Sequence, residues 1–165
     1  MKNSLLPFLL FFLFATATGG IAFPSQQKLS LDELTRQADT IVKGRVEDIR
    51  TQTSPDRSNL TTLVMIAVED QWKGRKVSSV TVALAGGATG GIAQSVEGEP
   101  RFSKDERVIV FLKDRGQQYA VVGARQGKFA VTDDPAGKAE MVVDLTGNRQ
   151  ELKKFRAAVE TAARP

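Results

Sequence analysis

Alternating apolar and polar positions run through the middle of the chain. Over residues 40–49, Val42, Gly44 and Val46 share one parity and Lys43, Arg45 and Glu47 the other, the period of a half-buried strand. The pattern slips at Ile49, where a bulge or bend is expected. Gly44, inside the strand, marks a tight barrel corner. A polar turn with Ser54-Pro55-Asp56 as its breaker fills 51–59. Residues 60–72 carry the strongest pattern. Leu60, Val64, Ile66, Val68 and Trp72 share one parity, and Leu63, Met65 and Ala67 make the other apolar as well. A strand of that kind is expected to be covered on both sides.

Further strands are read at 77–84, 107–113, 119–123, 127–132 and 141–143, separated by turns such as Asp114-Arg115-Gly116 and Asp133-Asp134-Pro135-Ala136-Gly137. Two helical patterns flank them. Ser30 and Glu33 have capping-box spacing ahead of Leu31 and Leu34. At the other end Asn148 is placed to cap a helix with Glu151 at its third position, and Leu152, Phe155 and Val159 form its apolar stripe. Six or seven short strands without intervening helices predict a mainly β protein. The expected fold is a small antiparallel OB-like β-barrel with a short N-terminal and a C-terminal helix. The barrel is expected over 30–145 and the closing helix over 146–165.

The first residues lie outside this pattern. Lys2 precedes an apolar run over 5–14, followed by Ala15-Thr16-Ala17 and Gly20-Ile21-Ala22, the layout of a cleaved secretory signal. The apolar run is shorter than the ~20 residues that span a bilayer. Cleavage is expected after Ala17 or Ala22, with Ala22 preferred, giving a signal peptide over 1–22 and an extended leader over 23–29. Removal of Lys2 lowers the formal charge from +4 to +3, too little to indicate nucleic acid. The expected location is therefore periplasmic or secreted, as a bacterial monomer with no stable membrane insertion.

Composition narrows the chemistry. The chain has no His and no Cys. A Ser-His-Asp triad, a thiol nucleophile and the usual zinc sites are excluded, and burial without disulfides must hold the fold. Ser25-Gln26-Gln27-Lys28 matches S-x-x-K, but the companion motifs of that serine-enzyme class are missing. No cofactor or metal is expected. Asn59-Leu60-Thr61 matches the glycosylation sequon and is read as silent in a bacterium.

Five glycines, at 86, 87, 90, 91 and 98, punctuate the stretch between two strands. They lack the lysine and spacing of a phosphate loop, and no helix follows them. They are read as a flap or bulged connection on the barrel rim, or as a binding loop. Glu97/Glu99, Asp105/Glu106 and Asp133/Asp134 are acidic pairs. They read as solvated turn acids, or as carboxylates for glycoside hydrolysis. Trp72 reads as a core plug at the barrel end or a surface anchor for a partner.

Several segments together resemble the netrin/tissue-inhibitor-of-metalloproteinases module. They are Ala38-Asp39-Thr40-Ile41-Val42-Lys43-Gly44-Arg45-Val46, Val68-Glu69-Asp70-Gln71-Trp72-Lys73-Gly74, Val80-Thr81-Val82, and Phe102-Ser103-Lys104-Asp105-Glu106-Arg107-Val108-Ile109-Val110-Phe111. The resemblance covers roughly residues 31–123 and implies a five-stranded OB-type barrel flanked by helices. The family's cysteines are absent, including the N-terminal one that chelates a protease zinc in the inhibitors, so that mechanism does not transfer. Asp105 stands where the family has glycine. The chain is also similar to exported bacterial proteins that share a Gly-Gly…Gly-x-Pro-x-Phe…Val-x-Val-Phe-Leu pattern, a resemblance that implies no activity.

The functional expectation is an exported, non-enzymatic binding module for an envelope or secreted protein. Its candidate surface is the loop over 86–101 with Trp72 nearby, and the candidate residues are Trp72, Gly86, Gly87, Gly90, Gly91, Glu97 and Arg101. A spacer of the cell envelope and a hydrolase using Glu97, Glu99, Asp105 or Glu106 are the alternatives.

Overall fold

The computed structural model describes residues 28–55 and 58–164. The signal peptide, its cleavage site, Asp56 and the leader up to Gln27 fall outside them. Helix α1 (Leu31–Gln37) starts as its cap predicts: Ser30 Oγ accepts from the Glu33 amide, and the Glu33 carboxylate accepts from Ser30 N–H at 2.7 Å. The strands are β1 (Thr40–Thr53), β2 (Leu60–Lys73), β3 (Ser79–Ala85), β4 (Gly87–Thr89), β5 (Ile92–Gln94), β6 (Arg107–Asp114), β7 (Tyr119–Val121), β8 (Lys128–Asp133), β9 (Glu140–Val143) and β10 (Arg149–Glu151). Helix α2 (Leu152–Ala162) closes the fold.

Five strands close a barrel in the order β1-β2-β3-β7-β6, with β6 returning to pair β1. The expected OB-like barrel with flanking helices is therefore present. One pairing is parallel, β3 with β7 at Val82 and Tyr119, and the rest are antiparallel. From β6 the sheet also continues outward through β8, β9 and β10.

Three register shifts bend β1 around the barrel: at Ile41/Val42, at Lys43/Gly44 and between Val46 and Asp48. The last accounts for the slipped pattern near Ile49. Gly44 is required by contact, because a Cβ there would collide with the Ala67 carbonyl oxygen and the Ile66 side chain. The expected tight corner is thus a close approach of β1 to its neighbour β2 at a register shift.

There are two cores. The barrel interior holds Val42, Val46, Val64, Ile66, Val80, Val82, Val108, Val110 and Leu112. An outer core lies between the barrel wall and the two helices, built from Leu34, Ile41, Ile109, Phe111, Val131, Val142, Phe155 and Val159. Strand β6 serves both: Val108, Val110 and Leu112 point into the barrel, Ile109 and Phe111 into the outer core, and all five are fully buried. Its uninterrupted apolar run is what double coverage requires.

This corrects the reading of β2. Its second face is open, with Met65 38% exposed and Leu63 and Ala67 half-buried. The helices pack on the β6 side and meet β2 only at its end, where Trp72 and Asp70 contact α2, so Leu63, Met65 and Ala67 are left without a helix over them.

The C-terminal helix also begins later than its cap predicts. Asn148 does not cap it. Its side chain donates to Asp144 Oδ2 at 3.0 Å and to Thr146 Oγ1 at 2.9 Å, closing the β9–β10 turn. Residues 149–151 then pair with β9, and Glu151 precedes α2 without a side-chain cap. The stripe is as expected: Phe155 and Val159 are buried and Leu152 packs against the same core.

The glycine stretch is an ordered ribbon, where a flap or bulged connection was expected. Strands β4 and β5 pair through Gly90 and Gly91, both at positive φ (56° and 80°), the requirement of a tight two-residue hairpin turn. With β10, these short strands raise the count above the six or seven expected.

Candidate functional site

The structure separates the sequence-selected residues. Trp72 sits under α2, its ring centroid 6.1 Å from that of Phe155. Its Nε1–H donates to Asp70 Oδ2 at 3.0 Å, and the Arg156 guanidinium lies over the ring and donates to the same oxygen. It belongs to the outer core, and not to a plug in the barrel mouth.

Gly86 and Gly87 lie at the far end of β2. Gly86 N–H donates to the Leu60 carbonyl, and Thr62 Oγ1 donates to the Gly86 carbonyl, both at 2.8 Å. Twelve strand residues at roughly 3.3 Å each separate Leu60 from Trp72. The ribbon and Trp72 therefore do not form one surface. Gly90 and Gly91 are exposed at the ribbon tip.

Beyond the ribbon the chain returns along the molecule. Glu97 is exposed. The Gly98 carbonyl accepts from Arg125 N–H at 2.9 Å, and the Arg101 carbonyl from Lys128 Nζ at 2.7 Å. The Arg101 side chain is exposed. The candidate acids have other employment: Glu106 binds Lys128 Nζ and the Ser103 amide, and Asp133 pairs with Arg107. Asp105 holds φ 65° where the resembled family has glycine, and aspartate is one of the few side chains that tolerate that region. Among the described residues, no three His, Cys, Asp or Glu side chains gather as a metal site would need.

A concave site exists elsewhere. A cleft of about 510 Å³ opens between residues 28–31 on one side and the β9–β10 hairpin on the other. Its floor is apolar and comes from four elements: Leu34 of α1, Phe129 of β8, Val142 of β9 and Phe155 of α2. The rings of Phe129 and Phe155 pack in a tilted arrangement with centroids 4.9 Å apart. Gln126 Oε1 accepts from Leu29 N–H at 2.8 Å and fixes one wall.

The other wall carries Leu145, a leucine 52% exposed inside a polar turn. Asp144 holds that turn: its carboxylate accepts from Thr146 N–H, Thr146 Oγ1, Asn148 N–H and Asn148 Nδ2 at 2.7 to 3.0 Å. Burial alone would raise this carboxyl. The hydrogen bonds from Thr146 and Asn148 outweigh it and bring the pKa down to about 2. The backbone is thereby fixed with Leu145 projecting.

A shallower groove of about 280 Å³ adjoins the cleft, lined by Glu99, Pro100 and Arg101. Arg125, Asp144 and Leu145 border both. The returning segment over 98–101 therefore reaches the cleft region, although the ribbon itself does not.

The rim is cationic. Lys28, Arg125 and Arg149 are exposed at the cleft. None of the three forms an ion pair among the described residues, although other cations such as Lys43, Arg107 and Lys128 do. An apolar floor with a few polar groups at the lip is the usual make-up of a binding site. The sequence offered one pointer to it, the isolated Leu145 within Asp144-Leu145-Thr146-Gly147-Asn148. No helix among the described residues is long and apolar enough to cross a membrane. The sequence matches no protein-family model and no curated protein.

Proposed function

We propose that this chain is an exported, non-enzymatic binding module that takes a segment of an envelope or secreted protein into the cleft between α1 and the β9–β10 hairpin. The observation that carries the reading is the cleft itself: apolar side chains from four elements line its floor, and three cations with no ion-pair partner among the described residues stand at its lip. The resemblance to the netrin-type barrel supports a module whose work is contact. The secretory layout of residues 1–22 supports export.

The test is photo-crosslinking from single positions in envelope preparations, with a benzoyl-phenylalanine probe at Leu145, Ile92 or Met65. All three side chains are exposed, so none of the replacements disturbs the core. The expected result is one discrete adduct from position 145. An adduct from position 92 and none from 145 would move the site to the glycine ribbon and overturn the reading.

A further inference from the structure

Given that reading of the cleft, we infer that its ligand is an extended peptide segment in which apolar and acidic side chains alternate. The reasoning starts at β10. It is the last strand of its sheet, pairs only with β9 among the described residues, and all three of its residues are exposed. An open strand edge beside an apolar groove is the arrangement for strand addition, in which backbone hydrogen bonds supply affinity and alternate side chains supply selectivity.

The register of the β9–β10 pair fixes what each set of side chains meets. Val142 is opposite Gln150, and Val143 is opposite Arg149. Val142 is buried in the outer core and forms part of the cleft floor. Gln150 therefore shares the apolar face and Arg149 the opposite one. A strand added beyond β10 continues that alternation. Its odd side chains extend the Val142–Gln150 row that lines the cleft, and its even ones extend the row of Val143 and Arg149.

Arg149 lies on the even face, and Lys28 and Arg125 add to the charge at the cleft. Lys28, Arg125 and Arg149 have no carboxylate partner among the described residues, while the one acid at the cleft, Asp144, spends both oxygens on its own turn. Glu151 shares the Arg149 face but pairs with Lys154, so the rim retains a net positive charge, which favours acidic residues and disfavours basic ones. A fatty acyl chain would match the floor and one cation but would leave the β10 edge unused.

Fluorescence anisotropy with the exported, processed chain tests this. The probes are three labelled hexapeptides: alternating Leu/Glu, alternating Leu/Lys and alternating Ser/Glu. The expected result is binding of Leu/Glu, with Leu/Lys and Ser/Glu each at least about tenfold weaker. Methylating the backbone nitrogens of Leu/Glu is expected to weaken it about tenfold as well. The double variant Arg125→Glu/Arg149→Glu, whose side chains make no hydrogen bond or ion pair among the described residues, is expected to reverse the order of Leu/Glu and Leu/Lys.

Equal binding of Leu/Glu and Leu/Lys, both weakened by Leu145→Ser, would overturn the charge selection and leave the cleft as a binding site. Binding of none of the three peptides would overturn both. Binding of oleate without any peptide would replace the peptide with an acyl ligand and overturn the inference.

Discussion

Lys43 Nζ lies 2.9 and 3.0 Å from the two carboxylate oxygens of Glu140, a residue 97 positions further along the chain. The pair ties a barrel strand to β9, the strand that carries one wall of the cleft. It does not act alone. Glu69 stands 3.5 Å from Lys43, and Arg107 donates to Glu140 and to Asp133. Lys43 is nearly covered, its side chain 14% exposed, so its partners matter more than those of a surface pair. Glu140→Ala is expected to cost about 1–2 kcal/mol and to lower Tm by several degrees. The double variant Lys43→Met/Glu140→Leu is expected to recover much of that loss in the same thermal scan.

Phe155 touches the rings of Trp72, Phe111 and Phe129, with centroids 6.1, 6.2 and 4.9 Å away. Phe155→Ala is expected to cost about 3–5 kcal/mol in urea unfolding. Trp72 is the only tryptophan, so its fluorescence reports the change directly. A red shift of the native emission is expected, as water reaches the indole where the ring is lost. An unchanged spectrum would place Trp72 away from α2.

Gly44 and Asp105 test two backbone demands of different kinds. Gly44→Ala drives a methyl into the Ala67 carbonyl and is expected to lower the yield of folded protein or to cost at least ~2 kcal/mol in urea. Asp105 is strained by its φ of 65° and not by space. Asp105→Gly is expected to be at least as stable as the parent, and Asp105→Ala about 1 kcal/mol less stable than the glycine variant. The backbone carbonyl that accepts from Arg45 is present in all three.

Asp144 predicts a particular acid response. Its folded pKa, about 2, lies below the ordinary 3.8. A carboxyl depressed on folding adds stability that is fully present above its unfolded pKa and is lost as pH falls through the folded one. Asp39 and Glu33 are lowered as well, by hydrogen bonds from Lys113 and from the Ser30 amide. The urea midpoint is therefore expected to hold above about pH 4.5 and to fall between there and pH 2. Asp144→Asn is expected to start lower at pH 7 and to lose less on acidification. Parallel curves for the two proteins would remove Asp144 from the account.

Export is tested at the N-terminus. The processed chain is expected to begin at Phe23, read by intact mass or sequential degradation. A start at Thr18 would move cleavage to Ala17, and an unprocessed Met1 would argue against a cleaved signal.

Local chemistry was legible in the sequence where one rule acts alone. The Ser30–Glu33 cap, the alternation of Val42 and Val46 and the stripe of Phe155 and Val159 each depend on neighbours a few positions away. Strand β10 was not legible, because Arg-Gln-Glu has no apolar member and Asn148 suits a helix cap as well as a hairpin turn. The turn won because Asp144 supplies it with acceptors. The apolar outer face of β2 suggested a cover that went to β6 instead, whose unbroken Val-Ile-Val-Phe-Leu was the better indication of two-sided burial. The cleft was hidden for another reason. Its floor draws one residue each from α1, β8, β9 and α2, and which elements meet is a property of the folded chain. Of the residues chosen in advance, Arg101 and the alternative acid Glu99 border the adjoining groove.

The alternating burial of β6 makes the two compartments share a party wall. A slip of one residue along it would exchange their contents, pushing Ile109 and Phe111 into the cylinder and Val108 and Val110 toward the helices. Neither compartment can loosen while the other keeps its shape, so the cleft inherits its firmness from the interior of the cylinder behind it.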